Sequence, residues 1–193
     1  MKPLTPADLL SLEAYARERN AFRARAIAHK KPRKLHLGEH ITLLFEDRLT
    51  VQYQVQEILR TEKIFETKGI EEELEAYNPL IPDGRNLKAT MLIEYEDQDV
   101  RKRELAKLRG VEHEVSLQVQ GHAPARAIAD EDLPRSNEEK TSAVHFLRFE
   151  LDEAMIADFK GGKRVAMRIT HDGCRIEQAL SEEQRRALAT DFD

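Results

Sequence analysis

The stretch RLTVQYQVQEILRTEKIFE, residues 48–66, constrains the fold more than any other. Its first half alternates at period two, as a strand would, but VQEILRTEKIF follows a helical period. Read as a helix capped by Asp47, it places Val51, Val55, Ile58, Leu59 and Phe65 on one face, and Tyr53 and Ile64 on the other. A helix that is apolar on two sides is clamped between layers, so the spacing predicts a helix pressed against a sheet. Glu62 falls inside the main apolar stripe. A carboxylate sheltered there could act as a general acid or a metal ligand; the alternative is a rim position paired with an arginine. On the other face Tyr53, Glu57 and Arg60 are spaced i, i+4 and i+3, which allows one hydrogen-bonded cluster. Glu62, Glu57, Arg60 and Tyr53 are therefore the candidate catalytic residues.

Around this helix the chain is well punctuated. Thr5-Pro6-Ala7-Asp8 starts a helix expected to run to Ala28, with Pro32 beyond its end. KLHLGEHITLLFED alternates on both sides of Gly38 and reads as a hairpin. Ile70, Leu74 and Tyr77 mark a short second helix, which NPLIPDG terminates. From residue 88 onward strands predominate: 88–95, 114–120, 125–129, 142–151 and 163–171. Asp97 and Asp152 open helices between them, and a capping box at Ser181 to Gln184 opens the last. DEDLPRSNEEKT is a polar loop and the segment with the composition of disorder. The expected class is α+β. Its sheet is mainly antiparallel, with the ferredoxin-like order β-α-β-β-α-β expected in the C-terminal half, and an N-terminal helical part (1–87) packs on the sheet part (88–193) as one folded domain.

The histidines form a second lead. His145 shares a strand face with Leu147, Phe149 and Leu151, and His171 ends the strand of Val165, Met167 and Ile169. If those strands are neighbours, His145 and His171 could share a metal; each could equally be a satisfied core histidine. His36 and His40 are separated by Gly38, which argues against a helical pair. Cys174 is the single cysteine, so no internal disulfide forms; Arg175 beside it would favour thiolate. No phosphate-binding glycine loop, dinucleotide fingerprint, nucleophile elbow, His-Glu-x-x-His or Glu-x-x-His signature occurs.

Charge is unevenly distributed. Between Arg17 and Lys34 stand eight basic residues and one acid, a local +7; with −5 for the whole chain, the remainder carries −12. Arg23, Arg25, Lys30, Lys31, Arg33 and Lys34 are the candidate anion- or partner-binding residues. Only Phe22 could stack a base in this segment, and the acidic remainder repels polyanions, so nucleic-acid binding ranks third among the functions. No apolar run is long enough to span a membrane and no signal peptide is seen, so the cytosol is the expected compartment.

The strings FRARAIAHKKPRKLHLGEHITLLFEDRLTVQYQVQEILRTEKIF, AYNPLIPDGRNLKATMLIEY and TSAVHFLRFEL resemble those of a bacterial domain-of-unknown-function family of about this length. Matching positions include Lys30, Glu46, Gln54, Glu57, Arg60, Glu62, Pro82, Asp83, Gly84, His145 and His171, whereas THDGC departs from the expected proline- and tyrosine-containing version. The resemblance implies no activity, but it implies a setting beside rubrerythrin-like and iron–sulfur oxidoreductase proteins. Three functions are therefore open. The first is an accessory protein docking its basic segment on a partner in a redox or peroxide-handling module. The second is a metal- or cofactor-dependent enzyme with a pocket between helix 48–66 and the sheet, using Glu62, His145 and His171. The third is nucleic-acid binding.

Overall fold

In the computed structural model, which describes residues 1–137 and 139–192, helices and antiparallel strands alternate as an α+β fold. Helix α1 (Leu12–Lys30) is followed by strands β1 (Lys34–Leu37) and β2 (Ile41–Glu46), then α2 (Arg48–Glu62) and α3 (Thr67–Tyr77). Next come β3 (Asn86–Ile93), α4 (Gln98–Lys107), β4 (Val115–Val119), β5 (Ala125–Arg126), β6 (Ile128–Ala129) and β7 (Val144–Glu150). The chain ends with α5 (Glu153–Lys160), β8 (Val165–His171), β9 (Cys174–Ala179) and α6 (Glu182–Ala189).

Two antiparallel sheets form, one in the order β1-β2-β3-β7-β6 and the other β5-β4-β8-β9. They meet at both sides, β1 lying beside β9 and β5 beside β7, and enclose one core. Leu37, Leu43, Met91 and Phe149 fill it from the first sheet, and Val115, Leu117, Met167 and Ile169 from the second. The segment 125–129 serves both sheets: Ala125 and Arg126 pair with β4, then Ile128 and Ala129 pair with β7.

The ferredoxin-like order does not form. β3 and β7 are antiparallel neighbours, whereas β4 and β8 belong to the other sheet. One edge of β3 is already occupied by β2, and the register Asn86↔Glu150 to Leu92↔Val144 occupies the other. β9 escapes the sequence reading because it is a short edge strand with few inward apolar residues, Cys174 and Ile176, and a charged outer side where Glu177 pairs with Arg164 and Arg168.

The expected N-terminal helix is also interrupted. Thr5 and Asp8 cap a single 3-10 turn, Pro6–Asp8, and α1 restarts at Ser11, whose hydroxyl accepts from Ala14 N at 3.2 Å. The break has a distant cause. The buried Gln56 amide accepts from Leu10 N at 2.6 Å and donates to Leu10 O at 3.3 Å, which engages both backbone groups of residue 10 outside a helix. Leu4, Val51, Val55, Leu59, Leu74 and Ile81 make a second, smaller core between the helices. Among the described residues no helix is long and apolar enough to cross a membrane.

Arg33, 1% exposed, joins these parts. Its guanidinium donates to Phe45 O at 3.1 Å, Glu46 O at 3.2 Å and Ala187 O at 3.2 Å, and pairs with Asp191. Asp47, which caps α2, lies 3.5 Å from the same guanidinium and pairs with His29. Burial pushes the Asp191 carboxyl up to about 6, and Arg33 only partly offsets it. A carboxyl raised from 3.8 to about 6 binds its proton more tightly in the folded chain. Its stabilising contribution is complete below the unfolded value and is lost as pH rises through the folded one. Urea unfolding at pH 5 and pH 7 is expected to show wild type losing stability relative to Asp191→Asn across that interval, by about 1 kcal/mol. Parallel pH profiles of the two proteins would exclude this assignment.

Candidate functional site

The two faces of the first sheet have different fates. Odd positions of β2, β3 and β7 point into the core, while Leu44, Glu46, Lys88, Thr90, Leu92, Val144, Phe146 and Arg148 share the outer face, set by pairs such as Leu44↔Thr90 and Thr90↔Phe146. Helix α2 and the 3-10 turn Asn78–Leu80 lie over this face but cover it incompletely, leaving Leu44, Leu92, Val144 and Phe146 half-buried. Two adjoining cavities of about 290 Å³ each result. One is lined by Lys30, Glu46, Val51, Gln54 and Thr90 around the apolar floor; the other by Lys88, Glu131, Arg135 and Arg148; Tyr77, Leu80 and Phe146 belong to both. A concave apolar surface with a few convergent polar groups is the usual form of a small-molecule site.

The charges at the two ends differ in how they are satisfied. Arg148 is held by Glu131 through bonds of 2.8 and 2.7 Å and also pairs with Glu150, so these carboxylates keep its guanidinium firmly charged. The Lys88 ammonium donates to Pro79 O at 2.6 Å, and its burial lowers its proton affinity. Arg135 stacks on Phe146 at 4.5 Å and pairs with Asp130 and Asp132. At the other end Glu46 is 9% exposed and accepts only hydroxyl protons, from Thr90 at 2.8 Å and Thr50 at 2.6 Å. Lys30 lies 5.5 Å from the Tyr53 ring centre. Among the described residues neither Glu46 nor Lys30 has an ion-pair partner.

Most of the candidate residues fall elsewhere. Glu62 is exposed: α2 ends there, Lys63 turns left-handed at φ 58°, and the apolar stripe stops at Leu59. Phe65, expected in that stripe, is 72% exposed. Glu57 is bound from another helix, accepting from Arg19 at 2.8 and 2.7 Å and from the Tyr15 hydroxyl at 2.6 Å; the Arg19 bonds hold its carboxyl below the usual range. Tyr53 stacks on Phe22 at 6.1 Å and makes no hydrogen bond to Glu57, and Arg60 is exposed, so the cluster expected along α2 is replaced by one between α1 and α2. Arg33 is buried and unavailable to a partner, whereas Arg23, Arg25, Lys31 and Lys34 are exposed. Burial raises the Cys174 thiol, so it is no activated thiolate. His36 contacts Thr42 at 3.1 Å, and His40 stacks on Tyr95 at 4.1 Å.

His145 and His171 do not meet, because their strands lie in different sheets; His171 Nε2 donates to Arg109 O at 3.0 Å. His145 is 0% exposed and faces the core, behind the groove. Its Nδ1 lies 2.6 Å from Asp130 Oδ2, and its Nε2 lies 2.8 Å from the Thr141 hydroxyl and 3.1 Å from Ser142 O. Glu112 completes this group, bonded by Ser136 and by Thr141 at 3.3 Å. Burial acts to raise Glu112, but the Ser136 hydroxyl, its own amide and His145 outweigh it. One donor atom from each of Glu112, Asp130 and His145 lies within 4.8 Å of the others, a set able to hold a metal ion. In this structure the same atoms are engaged by hydroxyls and by each other, and they tie Asp130, Ser136 and Thr141 together. Sequence patterning could not find Glu112 and Asp130: one sits in a 3-10 turn and the other is left-handed at φ 50°, so neither follows a helix or strand period.

Asp130 is the hinge of this network. It accepts from Phe146 N at 2.9 Å, holds the imidazole and pairs with Arg135. Asp130→Asn is expected to destabilise the protein by about 3 kcal/mol, the usual cost of removing one partner of a buried charged pair. Chemical denaturation measures this, and limited proteolysis should cut first between residues 131 and 140. Unchanged stability would remove the structural role assigned here.

The model of the family described as protein of unknown function (DUF3501) matches residues 3–192. No curated protein matches the chain. Among solved structures it is similar to the crystal structure, at 1.90 Å resolution, of a novel protein of unknown function from Burkholderia pseudomallei K96243, with 50% identity and a TM-score of 0.94 over 100% of both chains. The chain therefore belongs to the DUF3501 family.

Proposed function

We propose that this protein binds a small organic molecule in the groove between α2 and the outer face of the first sheet, and serves as an accessory component of a redox or peroxide-handling module. The observation that supports the binding role is the half-covered floor of Leu44, Leu92, Val144 and Phe146 beneath α2. A structural sheet face of this composition would be closed over, because leaving apolar surface wet forgoes about 25 cal/mol for every Å². The module is the setting that the family resemblance implies. A catalytic use of His145 in this groove has no geometric support, since strand alternation directs its imidazole to the opposite side of β7 from Val144 and Phe146.

The groove is tested with the apolar dye anilinonaphthalene sulfonate. Saturable binding at one site is expected in wild type, with at least a tenfold loss in Val144→Trp, which plugs the cavity. Equal binding by both proteins would exclude the groove.

The accessory role is supported by the exposed cations of α1 and the segment after it, Arg23, Arg25, Lys31 and Lys34. Surface charges of this kind act through a salt-screened field. Affinity for a purified rubrerythrin-like or iron–sulfur partner, measured by surface plasmon resonance, is expected to fall more than tenfold between low and physiological salt. Neutralising the four residues should abolish that dependence. A complex insensitive to both would count against docking through this segment.

A further inference from the structure

Resting on the groove reading above, we propose that its ligand is a zwitterion of the amino-acid type with an apolar side chain, its ammonium received by Glu46 and its carboxylate by Lys30. The argument comes from which charges are already satisfied. At the Arg148 end each cation has an acceptor: Arg148 has Glu131 and Glu150, Arg135 has Asp130 and Asp132, and Lys88 has a backbone carbonyl. A ligand arriving there must displace existing bonds. At the other end the Glu46 carboxylate, nine-tenths buried, receives one hydroxyl proton on each oxygen and no cation. Lys30 lines the same cavity, and its ammonium lies over the Tyr53 ring with no ion pair among the described residues.

Lys88 stands directly across the β2–β3 register from Glu46 but turns its ammonium to Pro79 O, so the buried carboxylate is left without an ion pair; that is costly, and the cost is relieved when a ligand supplies the charge. A purely anionic ligand would satisfy Lys30 but bring like charge toward Glu46, and a purely cationic one would do the reverse. Only a molecule carrying both charges satisfies both groups. Its apolar body then lies over Leu44, Leu92 and Val144, toward the Tyr77, Leu80 and Phe146 wall shared with the second cavity. Gln54, exposed at the rim, adds an amide able to bond either polar end. The apolar contacts give affinity and the two charges select the class.

Calorimetric titration with three compounds of one apolar body separates the terms: L-phenylalanine, 3-phenylpropanoate and 2-phenylethylamine. L-phenylalanine is expected to bind at least tenfold more tightly than either singly charged analogue. Glu46→Gln, which keeps one carbonyl acceptor and leaves the other threonine hydroxyl to turn and accept from its amide, should erase its advantage over 3-phenylpropanoate; Lys30→Met should erase its advantage over 2-phenylethylamine. Circular dichroism melts report whether each variant is folded. Equal affinity for the three compounds, or undiminished L-phenylalanine binding by both folded variants, overturns the assignment. So does dye binding without any L-phenylalanine binding, which leaves the groove reading standing. Failure of both dye and amino acid to bind overturns the two together.

Discussion

The buried Arg33 guanidinium is the constraint on which the other arrangements depend. It lies just past the end of α1, bonds the carbonyls of Phe45 and Glu46 at the end of β2, and reaches Ala187 and Asp191 near the C-terminus. Five donors in a rigid plane suit this junction, where a lysine would offer a point charge. Because Arg33 bonds the Glu46 backbone and faces Asp47, one residue fixes the strand end, the cap of α2 and the carboxylate at the head of the groove. The groove is thus positioned from behind by a cation that never faces it.

Locally encoded features were legible in the sequence. Asp47, Asp97, Asp152 and Ser181 each begin a helix where their side chains accept the amide three residues on, and Gly38 turns the hairpin at a positive φ. What failed depended on distant partners or on a local backbone turn that no side-chain period encodes. The break after Asp8 comes from Gln56, the exposure of Glu62 from a left-handed Lys63, and the burial of Arg33 from a C-terminal helix 154 residues away. The groove itself is a product of strand register, which a single chain segment does not announce. A pocket beneath the 48–66 helix was expected and is present, yet its polar residues are Lys30, Glu46, Gln54 and Thr90 rather than Glu62, His145 and His171.

Alternation along β7 separates two kinds of chemistry by a single peptide. Val144 and Phe146 form the floor of the groove, while His145 belongs to the internal network with Asp130, Thr141 and Glu112. Asp130 touches both sides, holding the imidazole inward and pairing with Arg135, which lies against Phe146.

The five residues from Ala125 to Ala129 change sheets within one extended stretch, pairing with β4 and then with β7. A zipper with a common slider cannot be opened on one side only. Fraying of that segment would expose amides on both layers together, so slow hydrogen exchange in the two sheets should collapse into one cooperative unit, with the helical layer, built on its own small core, free to exchange separately.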